Sequence, residues 1–299
     1  SNIQVTVETP EGEIITQIRH IESSEPNFDQ LDYLNNLCRY VCQHTPDENE
    51  MREKYLEVIN REPQKRITRY AAGIMGGTGF AVFFGCNLRD AVIAFIVSVM
   101  IVAVGDWLAK RESNLLVYNG ILSFISEVII IGALKMGIAE HPDRIMIGIV
   151  MLLISGLSTT NGIRDLLQRD FISGFINIMN SFLGAAGIAF GIGLAIILFH
   201  EGYSDHFILN HSVPIQLLSC TVACTGFALW FKIRGKQVWY NSIGAFFTWA
   251  IYVAVYAVRP SNFLATMIAA VFVAFYAFIM SRVNKAPSTI FLTASVFPL

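Results

Sequence analysis

Charge is scarce in this chain. Only 15% of its 299 residues are Asp, Glu, Lys or Arg, against about 25% in a soluble domain. Basic and acidic residues nearly cancel, with a formal net charge of −2. No basic tract occurs, which sets nucleic acid aside as a partner. Cysteine is sparse as well. Five scattered cysteines are too few for a disulfide framework. Cys38/Cys42 and Cys220/Cys224 are each four apart on expected helices. They read as small buried side chains, with a metal or redox pair as the alternative. Residues 1–69 hold Cys38, Cys42, His20 and His44 but no nucleophile–base arrangement and no phosphate loop, which argues against an enzyme. No cofactor is expected.

Apolar residues are abundant: 54% of the chain, with a mean hydropathy of +0.53. They gather in long runs after residue 70. Eight full crossings are expected, at about 70–86, 90–108, 119–138, 145–161, 171–199, 214–231, 239–258 and 262–281, each near the length needed for a ~30 Å core. A ninth begins near 288. The preceding segment differs. "IQVTVETPEGEIITQIRHI" alternates on both arms of a Pro-Glu-Gly-Glu turn and predicts a β-hairpin. A helix follows with Leu31, Leu34, Leu37 and Val41 on one stripe. A second starts at a cap-like Thr45 and presents Met51, Tyr55 and Val58 or Ile59. The expectation is a polytopic α-helical membrane protein preceded by a small α+β segment. Its parts are the α+β segment over 1–69, a five-span module over 70–199, an external loop over 200–212 and a second module over 213–299. Sequence beyond both ends is expected to complete the first and last of these.

Lys and Arg set the orientation. Lys65, Arg66, Arg69, Lys110, Arg111, Arg164, Arg169, Lys232, Arg234, Lys236, Arg282 and Lys285 fall on one side. Arg89, Arg144, Arg259 and Lys135 fall on the other. The first side is therefore cytoplasmic and carries the N-terminal segment, in a cell (inner) membrane. The loop "HEGYSDHFILNHSVP" faces out; its histidines and acids read as a solvated loop, with metal binding as the alternative.

Two phrases nearly repeat, "TGFAVFFG" at 78–85 and "TGFALWFK" at 225–232. The offset is 147 for Thr78/Thr225, 148 for Asn114/Asn262 and 145 for Pro142/Pro287. A near-constant offset indicates an internal duplication. Five spans per unit is an odd number, so the copies should be inverted, a pattern common in secondary transporters. The phrases themselves, with Gly79 and Gly226 among bulky residues, read as scaffold.

Ionisable groups inside a membrane point to function. Glu127 lies mid-span, with Asn119, Ser123 and Ser126 on the same helical face. It is a candidate proton carrier, or else a structural carboxyl bonded to a neighbouring span. Residues 152–175, "LLISGLSTTNGIRDLLQRDFISGF", concentrate Ser155, Gly156, Ser158, Thr159, Thr160, Asn161 and Gly162, poor helix formers that compete for backbone bonds. A helix break here would line a cavity and offer amides to a carboxylate; an ordinary helix end capped by Asn161 is the alternative. Arg164 and Asp165 add opposite charges at the inner mouth. Asn177, Asn180 and Ser181 on the next span are placed beside the cavity. Asp106-Trp107 reads as an interface anchor, and Lys135 as a side chain reaching outward.

At these residues the chain resembles the threonine/serine exporters. That family's pattern runs Pro-Gly, several residues, then Asn-x-x-x-Asp and a short Gly-containing segment. "ISGLSTTNGIRDLLQRDFISG" supplies Gly156, Asn161, Asp165, Asp170 and Gly174, with Ser155 in place of the usual proline. "FFGCNLRDAVIAF" is similar to the family's first connection, and "SNFLATMIAAVFVAF" with "NKAPSTIFLTASVFPL" to its second module. The resemblance implies proton-driven export of small hydroxy amino acids by two fused modules. The substrate path expected from the residues themselves runs through Ser155, Gly156, Thr159, Thr160, Asn161, Arg164, Asp165, Asn177, Asn180 and Ser181. Split relatives imply a small dicarboxylate such as succinate as an alternative; a passive channel is another. Expected partners are the small-molecule substrate, protons and membrane lipid, with a homo-oligomer left open.

Overall fold

The structure, a computed structural model, describes residues 2–9, 12–20, 26–154, 156–199 and 212–299. The expected hairpin is present. Strands β1 (Asn2–Glu8) and β2 (Ile14–His20) pair antiparallel with Thr6 opposite Thr16. The turn closes through Gly12 N–H to Thr9 C=O at 2.9 Å, with Gly12 at φ 83°. Helices α1 (Phe28–His44) and α2 (Glu48–Ile59) follow. The boundary between them differs from the sequence-based reading. Asp47, not Thr45, caps α2 by accepting from Glu50 N–H at 2.9 Å. Thr45 instead ends α1 in the left-handed region at φ 44°. Pro46 explains the shift, because it lacks an N–H and disfavours helical backbone in the residue before it. Of the alternatives on α2, Val58 is the buried one and Ile59 is exposed.

The N-terminal segment is docked on the helical bundle. Phe28 N–H donates to Phe231 C=O at 3.2 Å, and the two rings meet edge-on at 5.7 Å. Asp29 is buried and accepts from Arg61 Nε at 3.1 Å, with Arg234 Nη1 at 3.7 Å. Gln237 donates to Asp32 at 2.8 Å, and Asn35 to the Lys285 carbonyl at 2.9 Å. Burial pushes the Asp32 carboxyl above its ordinary value. Removing the Asp29 carboxylate leaves two cations without their shared acceptor, a loss of about 2 kcal/mol for bonds to a charged group. An Asp29→Ala protein is expected to be cut by trypsin after Arg61 and Lys65 roughly thirtyfold faster than the parent, as local opening becomes easier. Equal cleavage rates would show that the ion pair does not hold α1.

The remaining helices are α3 (Arg66–Phe83), α4 (Leu88–Leu108), α5 (Leu115–Lys135), α6 (Pro142–Leu153), α7 (Gly156–Leu167), α8 (Phe171–Phe199), α9 (Val213–Trp230), α10 (Lys236–Val258), α11 (Asn262–Asn284) and α12 (Ser288–Ser295). Their starts carry capping residues: Asn87 accepts from Asp90 N–H, Asn114 from Leu116 N–H, and Pro142 opens α6. Among the described residues, α4, α5, α8, α9, α10 and α11 are each long and apolar enough to cross a membrane. Helices α6 and α7, bent by 52° at their junction, pass that test only as a pair. The first expected crossing, α3, does not reach the same apolarity. Arg66, Arg69 and four glycines dilute it, and Ala72, Gly73, Gly76, Gly77, Gly79 and Phe80 are buried against other helices rather than facing outward.

The helices that carry the two repeated phrases touch. A Cβ added at Gly79 would lie 2.9 Å from the Ala223 backbone, and one at Gly226 would lie 2.5 Å from the Gly76 amide nitrogen. Further along, Gly73 faces Trp230. The partners descend on α9 as they rise on α3, so the helices run antiparallel in near backbone contact. Both are 18 residues long. Small residues at such crossings let main chains approach and maximise dispersion contact.

Candidate functional site: a vestibule at a helix break

Helix α6 ends at Leu153, and Ile154 turns to extended backbone at ψ 130°. Helix α7 starts afresh at Gly156. At 12 residues each, the halves span about 18 Å, too short to cross a bilayer alone. The break expected near this stretch is therefore present, but it lies earlier and is shorter than the polar run suggests. Ser158, Thr159, Thr160, Asn161 and Gly162 all lie inside α7. Asn161 consequently caps no helix end. Ser155, which stands in the family's proline position, lies outside the described residues, as does the histidine-rich loop over 200–211.

Helix α7 is clasped to α8. The backbones meet at Gly162 and Gly174, where an added Cβ at Gly174 would lie 2.8 Å from the Gly162 carbonyl oxygen. Asp165 fastens the pair: its Oδ2 accepts from Ser173 Oγ at 3.1 Å and from Asn177 Nδ2 at 3.0 Å. Arg164 Nη2 stands 3.7 Å from the other oxygen. Arg169 at φ 67° makes the turn between the helices, and Asp170 caps α8 through Ser173 N–H at 3.3 Å.

A cavity of about 830 Å³ opens at the break. Its polar lining is Ser158, Asn161 and Arg164 from α7, Asn177 from α8, Thr289 from α12, and Asn27 and Gln30 at the start of α1. The α7 residues recur at three-residue intervals and so share one helical face. Ile154 and Gly156 border the cavity at the break itself, where the first amides of α7 have no intrahelical acceptor. The apolar wall is Phe227, Trp230 and Phe231 from the second repeated phrase, with Phe28, Leu31 and Leu34 from α1. Among the described residues that line it, none is Asp or Glu. The cavity thus offers one guanidinium, amide and hydroxyl groups, and an aromatic wall, a set that suits a small polar molecule bearing a carboxylate.

Not every residue singled out in the sequence reaches this cavity. Asn161, Arg164, Asn177 and Gly156 line it. Asp165 sits behind them as the clasp. Thr159 and Thr160 are exposed with Ile163 and Leu167 on the outer face of α7, and the Thr160 hydroxyl donates to the Gly156 carbonyl at 3.1 Å. The reason is the continuous helix: an intact α7 rotates these two away from Ser158 and Asn161. Asn180 is exposed on α8 and Ser181 half-buried, neither lining the cavity. What sequence reasoning missed is the α1 wall. Its signal was the Leu31/Leu34 stripe, which needed an apolar partner.

Glu127 lies apart from the cavity. Asn119, Ser123, Ser126 and Glu127 are all buried, so the polar stripe of α5 faces the bundle. Asn119 donates to the Gly184 carbonyl of α8 at 3.2 Å, while the Ser126 hydroxyl donates back to Leu122 C=O at 2.7 Å. The Glu127 Oε1 is buried without a hydrogen-bond partner. It borders a void of about 10 Å³ shared with Met146, Ile149, Val150 and Leu153 of α6 and Ile192 of α8. That is room for roughly one water.

Elsewhere, Asp106 pairs with Arg69 at 2.8 Å beside an exposed Trp107, and Lys135 Nζ reaches the Phe199 carbonyl at 3.3 Å. Cys220 and Cys224 are buried, whereas Cys38 and Cys42 are exposed on α1, contrary to their reading as buried side chains. Helix α1 has only one face against the bundle, and this pair lies off it. Among the described residues, no three His, Cys, Asp or Glu side chains are close enough to hold a metal ion.

Crossing helices with a polar vestibule at a broken one define a multi-pass helical membrane protein. Residues 1–199 match the family described as "Putative threonine/serine exporter", and residues 216–299 match that described as "Threonine/Serine exporter, ThrE". The chain belongs to the threonine/serine exporter family. It is similar to the threonine/serine exporter of Corynebacterium glutamicum, 25% identical over 182 residues that cover 58% of this chain and 37% of that relative. The match therefore spans well under half the relative's length. No solved structure matches the chain.

Proposed function

We propose that this protein is a proton-coupled secondary transporter that exports threonine, serine or similar small polar amino acids across the cell membrane, with its N-terminal segment on the cytoplasmic side. The observation that carries this reading is the vestibule of about 830 Å³ lined by Asn161, Arg164 and Asn177 at the α6–α7 break. Arg164 receives the substrate carboxylate beside the first amides of α7. The carbonyl oxygens of Asn161 and Asn177 accept from its ammonium or hydroxyl. Asn177 spends its N–H on Asp165, which leaves its oxygen available as an acceptor. Glu127, buried and without a partner on Oε1, carries the proton. The antiparallel α3–α9 contact supports two inverted copies, whose relative rocking would expose the site to alternate faces.

Reconstituted Asn161→Ala protein is expected to export threonine at least about tenfold more slowly at subsaturating substrate, the loss of one or two bonds to a charged or polar substrate. Unchanged threonine flux would remove α7 from the substrate path. The lining suggests a second reading too. With one cation and no carboxylate among the described residues that line the vestibule, a small dicarboxylate fits the charge as well as an amino acid does. Competition in the same liposomes separates them: succinate that blocks threonine efflux, and is itself carried, favours the dicarboxylate.

A further inference from the structure

Leu153 lines both the large vestibule and the small void beside Glu127. It is the last residue of α6, directly before the 52° bend into α7. Among the described lining residues it is the one that the void and the vestibule hold in common. The void has no second charged group among the described residues that line it, and the hydroxyls of Ser123 and Ser126 donate to carbonyls of their own helix. A carboxylate formed there would have neither countercharge nor donor, which is costly in a dry surround. Ionisation therefore requires water to enter, and the void as it stands holds roughly one.

We propose that Leu153 is the barrier between Glu127 and the vestibule, and that movement of α7 on α6 displaces it to admit water to the carboxyl. The inference rests on Glu127 as the proton carrier. With Leu153 displaced, the Glu127 O–H bond breaks and its proton passes to a water, leaving a hydrated carboxylate and a hydronium that exchanges with the vestibule. With Leu153 in place, the neutral acid is closed off from the vestibule. Leu153 touches no substrate in this scheme. It positions the water path, and its location at the hinge ties proton release to the shape of the substrate site.

The test is water access. The full chain in liposomes is treated with a water-soluble carbodiimide and an amine, and Glu127 modification is followed by peptide mass spectrometry, with the exposed Glu53 as internal reference. In the parent protein Glu127 is expected to react slowly. In Leu153→Ala it should react at least about tenfold faster relative to Glu53, as expected when a sealing side chain is cut back and local opening is eased. Leu153→Met, of similar volume, should stay at the parent rate. Equal rates in the parent and Leu153→Ala, or fast reaction in the parent, overturn the barrier. The fully buried Asp90 reports loosening of the fold; if it too reacts faster in Leu153→Ala, the milder Leu153→Val decides. Labelling reads the barrier alone. The proton-carrier reading is tested separately by transport in Glu127→Gln, so either can fail without the other.

Discussion

Glu127→Gln protein in liposomes is expected to exchange labelled threonine for unlabelled threonine, yet to lose gradient-driven accumulation about a hundredfold, to the level of passive equilibration. Glutamine has nearly the shape of a protonated glutamate. It fits the void bordered by Met146, Ile149, Val150, Leu153 and Ile192 without a cavity or a clash. What it removes is the exchangeable proton. A purely structural carboxyl would leave the driven and exchange rates in their original ratio, because shape and polarity are conserved. The measurement is the ratio itself: uptake into vesicles with an imposed pH difference over exchange at equal pH. Driven accumulation that survives the substitution would remove Glu127 from coupling. Exchange that collapses along with it would point to a substrate role or to damaged packing.

The second large effect concerns the crossing of α3 and α9. Gly226→Leu is expected to abolish recovery of monodisperse protein from the membrane, while Leu229→Met on the same helix leaves yield unchanged. The first side-chain atom of any residue at 226 would lie 2.5 Å from the Gly76 nitrogen and 2.8 Å from the Ala72 carbonyl oxygen. Those are backbone atoms, which cannot rotate aside as a side chain does. Overpacking in an adaptable core costs about 1–3 kcal/mol; here two main chains must separate along their contact, and the aromatic cluster of Phe80, Phe227 and Phe297 must be repacked with them. Size-exclusion profiles after detergent extraction decide the matter. A normal profile for Gly226→Leu would show that the helices have slack the distances deny.

Much of this architecture is legible in the sequence because membranes impose simple rules. Apolar runs must be helices that satisfy their own backbone, so α4, α5 and α8 to α11 lie close to their expected limits. Helix α3 shows where hydropathy fails: glycines that permit close packing also erase the apolar signal. The polar run of 152–175 announced a break but misplaced it, since low helix propensity is overridden when α7 is braced by Gly162–Gly174 contact and the Asp165 clasp. That bracing is tertiary, and it explains why Thr159, Thr160 and Asn180 turn outward. Glu127 was readable as buried from its spacing with Asn119, Ser123 and Ser126. The position of Leu153 on the linings of both the Glu127 void and the vestibule was not, because it depends on where α6 stops.

The wall that α1 lends to the vestibule has a mechanical consequence. Phe28, Leu31 and Leu34 belong to a segment joined to the bundle through residues 60–65 and held by the Asp29 ion pairs and a few hydrogen bonds. One side of the chamber is thus hung like a shutter from the loops that connect α9 to α10 and α11 to α12. If the vestibule is the substrate path proposed above, its bore depends on how firmly that shutter is latched as much as on the helices that span the lipid.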